Sequence, residues 1–210
     1  MGAIFTASDR RAHAQPKEQP MSKTRLIALS GSLRQGSFST AVLRGLADAA
    51  AGRADIIVHN LEDVPLYNQD LDTATPPDGV ARLRAAIGEA DGVIIVSPEF
   101  NYGLPGVLKN ALDWASRPYG AATITGKPVL TATESPAFTG GARAQAPLNE
   151  ALLAIGARAL QRPQTVIASV HEKVVGDRLV DEPTLDFLLA GVDDLIRDIE
   201  TRRKPLAAAA

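Results

Sequence analysis

The chain has 210 residues, 45% hydrophobic and 22% charged, a balance that fits one globular domain and excludes wholesale disorder. A formal net charge of −2 leaves no basic footprint for nucleic acid or anionic lipid. With no cysteine, disulfides, thiolate nucleophiles, iron–sulfur clusters and cysteine-ligated zinc are excluded. The three histidines, His13, His59 and His171, are too dispersed for a local metal motif, and no metal site is expected. No apolar run reaches the roughly 18 residues of a membrane span. A soluble, cytoplasmic domain is expected, with its chemistry left to hydroxyls, carboxylates or a bound cofactor.

Residues 1–22 carry Pro16, Pro20 and a local charge of +1, with no apolar core after Ile4 and Phe5. They read as a disordered N-terminal extension rather than a secretory signal. Residues 23–203 read as the folded unit and 204–210 as a frayed tail. The first strand is expected at Leu26–Leu29, followed by a helix bearing Val42, Leu43, Leu46, Ala47 and Ala50. A second strand at Asp55–Val58 precedes a helix marked by Leu83, Ala86 and Ile87. Gly92–Val96 is the strongest strand, β-branched and apolar on both faces. Pro105 is placed to open the third helix at its first turn, with Val107, Leu108, Ala111, Leu112 and Ala115 as one stripe. A fourth strand at Pro128–Thr133 leads to a helix with Leu148, Ala151, Leu152 and Ile155. Pro147 is foreign to that helix unless the helix starts just before it or kinks there. Thr165–Ala168 reads as the fifth strand. Asp181-Glu182-Pro183 starts the last helix, which carries Leu185, Leu188, Leu189, Val192, Leu195, Ile196 and Ile199.

Five βα units in succession predict a single three-layer α/β domain around a parallel sheet, because parallel strands need crossover connections. In such sheets ligands bind beyond the carboxyl ends of the strands, where strand order reverses. Three unusual loops fall there. The first, Ser30–Thr40, sets five hydroxyls, two glycines and Arg34 at a helix N-terminus, a favourable place for an anion. One or two hydroxyls would suffice for a cap. The loop lacks the lysine of a Walker A motif, and Gly31 and Gly36 miss the dinucleotide spacing. A single arginine among hydroxyls suits one terminal phosphomonoester, as in a mononucleotide such as FMN. The second loop, Pro98–Pro105, holds Phe100 and Tyr102, two of only nine aromatics, on a bent backbone suited to a flat ring. Packing of both rings beneath the loop is the competing reading. The third, Glu134–Gly141, ends in two glycines that allow close approach to a ligand or merely a tight turn.

The strings LIALSGSLRQGSFST, PLYNQDL, VIIVSPEFNYGLPGVLKNALDWASRP and SP-x-x-x-GGARAQ resemble the NADPH-dependent FMN reductases, in the branch with bacterial quinone and chromate reductases. The resemblance spans about Arg25 to Ile199. It implies a flavodoxin-like fold with a five-stranded parallel sheet ordered 2-1-3-4-5, non-covalent FMN, and a homodimer or homotetramer. It implies that Ser30, Ser32, Arg34, Ser37, Phe38 and Ser39 hold the FMN phosphate and ribityl chain. Pro98, Glu99, Phe100, Asn101, Tyr102 and Gly103 are implied along the isoalloxazine ring, with Ser135 and Gly140 at its pyrimidine edge. Ser39 stands where relatives commonly have Asn, Phe100 where they have Tyr, and Ala137 where Gly is frequent. The implied activity moves electrons from NADPH or NADH through bound FMN to a small-molecule acceptor: quinones, azo compounds or metal oxyanions such as chromate. No catalytic side chain is expected, since the cofactor carries the chemistry. The alternatives are a flavin reductase supplying reduced FMN to a partner monooxygenase, and a flavodoxin-type electron carrier or redox sensor.

Overall fold

The computed structural model describes residues 23–203. The expected disordered extension at 1–22 and frayed tail at 204–210 lie outside these residues. The backbone alternates β1 (Thr24–Ser30), α1 (Phe38–Ala49), β2 (Ala54–His59), α2 (Asp78–Glu89), β3 (Gly92–Pro98), α3 (Gly106–Ala115), β4 (Pro128–Glu134) and α4 (Ala142–Ala154). It continues through β5 (Arg158–Ala159), β6 (Thr165–Ile167), β7 (Val174–Val175) and β8 (Arg178–Leu179) to α5 (Glu182–Arg203). The parallel sheet runs β2-β1-β3-β4-β5, with β6 also paired to β4. That is the flavodoxin-like order, reversing between β1 and β3. No helix among the described residues is long and apolar enough to cross a membrane.

Strand alternation divides the core in two. Leu26 and Ala28 of β1, with Ile94 and Val96 of β3, face one side and pack on Val42, Leu43 and Leu46 of α1 and Leu188, Val192 and Leu195 of α5. Their neighbours Ile27, Leu29, Val93 and Ile95 face the other side, against Leu83 and Ile87 of α2, Leu108 and Leu112 of α3, and Leu148 and Leu152 of α4. The continuous apolar run of β3 thus reflects a strand covered on both faces.

The expected fifth strand is two short pieces. β5 pairs with the start of β4 through Pro128↔Arg158 and Val129↔Ala159, while β6 pairs with its end through Ala132↔Thr165 to Glu134↔Ile167. Pro163 falls in the gap, where it has no N–H for the ladder. The hairpin β7–β8 is an addition to the expected series, turned by Gly176 at φ 60° and Asp177. Pro105 flanks α3 with an extended ψ of 143° rather than occupying its first turn. Pro147 lies in the second turn of α4, five residues after the helix starts, and deprives the Arg143 carbonyl of its helical donor.

Trp114 belongs to the core. It is fully buried, its Nε1 donates to the Pro65 carbonyl at 2.8 Å, and the Tyr67 ring meets it edge-on at 4.8 Å. Asn110 grips the same segment, donating to Pro65 and accepting from the Tyr67 N–H. The PLYNQDL stretch is therefore a strap fastened to α3.

Candidate functional site

The register places the carboxyl ends of β1, β3 and β4 side by side, with Ser30 opposite Val96 and Pro98 opposite Glu134. The three loops leave the sheet at that edge. The first is tied to β3 by the Gly31 N–H, which donates to the Val96 carbonyl at 2.8 Å. A Cβ on Gly31 would lie 2.9 Å from both Ser97 Oγ and Pro98 Cδ, so only glycine permits this approach.

Most hydroxyls of the first loop are spent inside it. Ser30 Oγ accepts from Thr40 Oγ1 and donates to the Ser32 carbonyl. Ser37 caps α1 by accepting from the Thr40 N–H. Ser39 is fully buried and donates to Glu134 Oε1 at 2.7 Å. The groups left facing outward are the Ser32 hydroxyl, whose oxygen accepts from the Arg34 N–H, and the exposed Arg34 guanidinium. Arg34 lies 5.0 Å from the half-buried Phe38 ring and forms no salt bridge among the described residues.

The second loop is a tight reversal. Phe100 and Gly103 exchange both backbone hydrogen bonds, which forces Asn101 and Tyr102 into left-handed conformations at φ 50° and 63°. For Tyr102 this costs backbone energy that the surroundings must supply, a pattern concentrated at functional sites. The surroundings include Glu99, which accepts from the Arg143 N–H in the first turn of α4 at 2.9 Å. The Arg143 guanidinium in turn lies 4.1 Å from the Tyr102 ring centroid. Phe100 and Tyr102 are 58% and 69% exposed, so packing beneath the loop is not their role.

In the third loop, Ser135 Oγ accepts from the Ala137 N–H, and the Ser135 backbone bridges Ile167 and Val170. Gly140 packs closely on the end of β6. Its N–H donates to Ala137, its φ is 57°, and a Cβ would meet Val166 Cγ1 at 2.5 Å. This glycine is demanded by packing against β6.

Two hollows open at this edge and share Ser32 and Phe100 as walls. One of about 360 Å³ is lined by Arg34, Phe38, Pro98, Glu99, Glu134 and Ser135 as well. The other, of about 580 Å³, lies between Gly31, Asn101 and Gly103 and the start of α3 at Leu104 and Val107. Both are of ligand-pocket size. Of the residues predicted from the sequence, Arg34, Phe38, Pro98, Glu99 and Ser135 line the first hollow, Asn101 and Gly103 the second, and Ser32 and Phe100 both, so all nine lie along one edge of the sheet. Ser30, Ser37 and Ser39 line neither hollow.

Glu134 was absent from the predicted set. It is 3% exposed, and burial holds its carboxyl above the usual carboxylate range, against the opposing pull of Ser39 and Arg34. Its signal in the sequence is an acid closing the apolar run PVLTAT.

Comparison with known proteins follows the same outline. A quinone reductase of Escherichia coli K12 is 39% identical over 171 residues, covering 79% of this chain and 90% of that protein. A 2-hydroxy-1,4-benzoquinone reductase of a Burkholderia species is 34% identical over 181 residues, covering 85% and 98%. The structure of FerB, a flavoenzyme NAD(P)H:(acceptor) oxidoreductase from Paracoccus denitrificans, superposes with a TM-score of 0.77 at 36% identity, covering 85% of this chain and 98% of FerB. Residues 24–172 match the family of NADPH-dependent FMN reductases, and the chain belongs to that family.

Proposed function

We propose that the chain is an FMN-dependent NAD(P)H oxidoreductase whose acceptors are quinones. The observation that carries this reading is the meeting of three loops at the switch point of the sheet, with Arg34, which has no salt bridge among the described residues, at one end and exposed aromatics on a strained turn at the other. The donor set fits a flavin mononucleotide. Arg34, the Ser32 hydroxyl and the first-turn N–H groups of α1 would hold the phosphate. The Phe100–Gly103 turn would lie along the ring system, its backbone rigidly paired so that polar groups keep fixed positions. Hydride acceptance and electron delivery are the chemistry FMN supplies when bound. The three loops would orient it at the sheet edge, and Glu99, which lines the same hollow, is held by the Arg143 N–H of α4.

The acceptor class rests on the likeness to quinone reductases; azo compounds and metal oxyanions such as chromate are further acceptors to assay. A homodimer or homotetramer is the proposed assembly, supported by the outward-facing Leu66, Tyr119 and Phe138. A cytoplasmic setting, where NAD(P)H is supplied, belongs to the same proposal. Purified protein decides the matter. Bound FMN should be bleached anaerobically by NADPH or NADH and restored by a benzoquinone, with ping-pong kinetics. A colourless protein whose thermal stability ignores added FMN would refute the reading. FMN turning over as a dissociable substrate would favour a flavin reductase, and flavin inert to both nucleotides a carrier or sensor.

A further inference from the structure

Glu134 places a carboxylate where the fold is built for an anion. Ser39, to whose hydroxyl it is bonded at 2.7 Å, is the second residue of α1, and the Ser39 N–H also favours the charged carboxylate. Unpaired N–H groups and the helix dipole make that end of α1 attractive to negative charge. The same hollow is walled by Arg34 and Ser32, so the internal carboxylate and the phosphate-holding groups border one space.

We propose that Glu134 is an internal anion at the phosphate end of the site and takes up one proton when a phosphate-bearing flavin enters. The proposal rests on the flavin reading of this site. A phosphomonoester beside Arg34 brings negative charge to a helix end that already holds a carboxylate. Two like charges in a partly dry space are mutually unfavourable, and a proton on the carboxyl relieves them. Burial already favours that proton. Once neutral, the carboxyl can donate, and the Ser39 hydroxyl, now free to accept from it, leaves the helix N–H groups to the phosphate.

The charges around Glu134 are few. Arg34 in the first loop is the cation that acts on it. Glu99 is the other carboxylate of the hollow and is held by Arg143, whose N–H it accepts and whose guanidinium is 4.0 Å away. The first turn of α1 offers Phe38, Ser39 and Thr40, β3 ends in Ser97-Pro98, and β6 is Thr165-Val166-Ile167, none of them charged.

The test is FMN titration of the full chain stripped of flavin, from about pH 5.5 to about pH 9, with riboflavin in parallel. In the wild type the FMN Kd should rise by up to about tenfold per pH unit once Glu134 is ionised in the free protein. Glu134→Gln keeps the volume and loses the proton, so its FMN Kd should rise less and be lower at the alkaline end. The phosphate's own second ionisation, at about pH 6, is common to both proteins and cancels in the Kd ratio. Riboflavin, without a phosphate, should show the same ratio at every pH. Should the glutamine variant fail to fold, Ser39→Ala replaces it: losing a bond to the charged carboxylate should move the fall in affinity to higher pH. A pH-independent Kd ratio, or an unshifted profile in Ser39→Ala, overturns the proposal while leaving tight FMN binding and the family reading intact. Failure of the wild type to bind FMN at any pH overturns both.

Discussion

At Gly31 the backbone itself is the functional group. Its N–H ties the first loop to β3, and the absence of a Cβ lets the Ser30–Ser37 segment lie against Ser97 and Pro98. Gly31→Ala introduces contacts of 2.9 Å with two atoms that cannot both retreat, because Pro98 continues the β3–β4 ladder. The expected cost is about 1–3 kcal/mol of stability, measured by urea unfolding, together with weaker FMN binding as the two loops part. Glu134 makes the opposite kind of demand. Its folded carboxyl is raised by burial above its unfolded value, so the unfolded chain gives up its proton first as pH rises. The stability linked to this group is complete below the unfolded carboxyl range and falls as pH climbs through the folded value. Glu134→Gln should therefore melt higher than wild type at neutral pH, with the gap closing on acidification. A gap that is constant with pH would show that packing, not charge, separates the two proteins.

Among the elements, the split fifth strand is the one on which the site depends. β6 lies beside the end of β4 and presents Ile167 to the Ser135 N–H, which anchors the third loop. Only three residue pairs join β6 to β4, so other contacts must hold it. Gln145 of α4, 1% exposed, donates to the Thr165 carbonyl at 2.9 Å, and Gly140 packs against Val166. Gln145→Ala leaves that carbonyl without its buried donor and should cost about 1–3 kcal/mol. Hydrogen exchange at the Ser135 amide should quicken more than at the amides of β3; uniform loss of protection would show that β6 is not a separate weak point. The sequence could not disclose this arrangement. Strand periodicity locates Thr165–Ile167, but a two-residue strand such as Arg158–Ala159 is too short for alternation, and its pairing depends on where β4 lies. The Gly176-Asp177 turn between Val174-Val175 and Arg178-Leu179 did carry a hairpin signal. The first loop shows the converse limit. Its hydroxyl count was plain in the sequence, yet Ser30, Ser37 and Ser39 bind partners up to 95 residues distant, which composition cannot reveal.

For the whole molecule, both core faces are closed by residues between Leu26 and Ile199. The ends of this span are also tied to each other. Asp91 accepts from the Arg25 N–H at 2.8 Å and forms an ion pair with Arg203, so the start of β1 and the end of α5 meet on one carboxylate. β1, at the centre of the sheet with β2 and β3 on either side, needs nothing before Thr24 to complete its pairing. The family likeness begins at the same residue. We propose on these grounds that residues 23–203 are the folded unit and that a chain running from Met21 to Arg203 folds and binds FMN as the full chain does. For a domain of this size about 1 kcal/mol corresponds to about 2–4 °C, so its Tm should lie within about 2 °C of the full-length value. Its FMN Kd should agree within about twofold, since every group assigned to the flavin lies inside the retained span. A drop of more than about 5 °C would make the terminal segments part of the fold. An unchanged Tm with a much weaker FMN Kd would place one of them over the flavin instead.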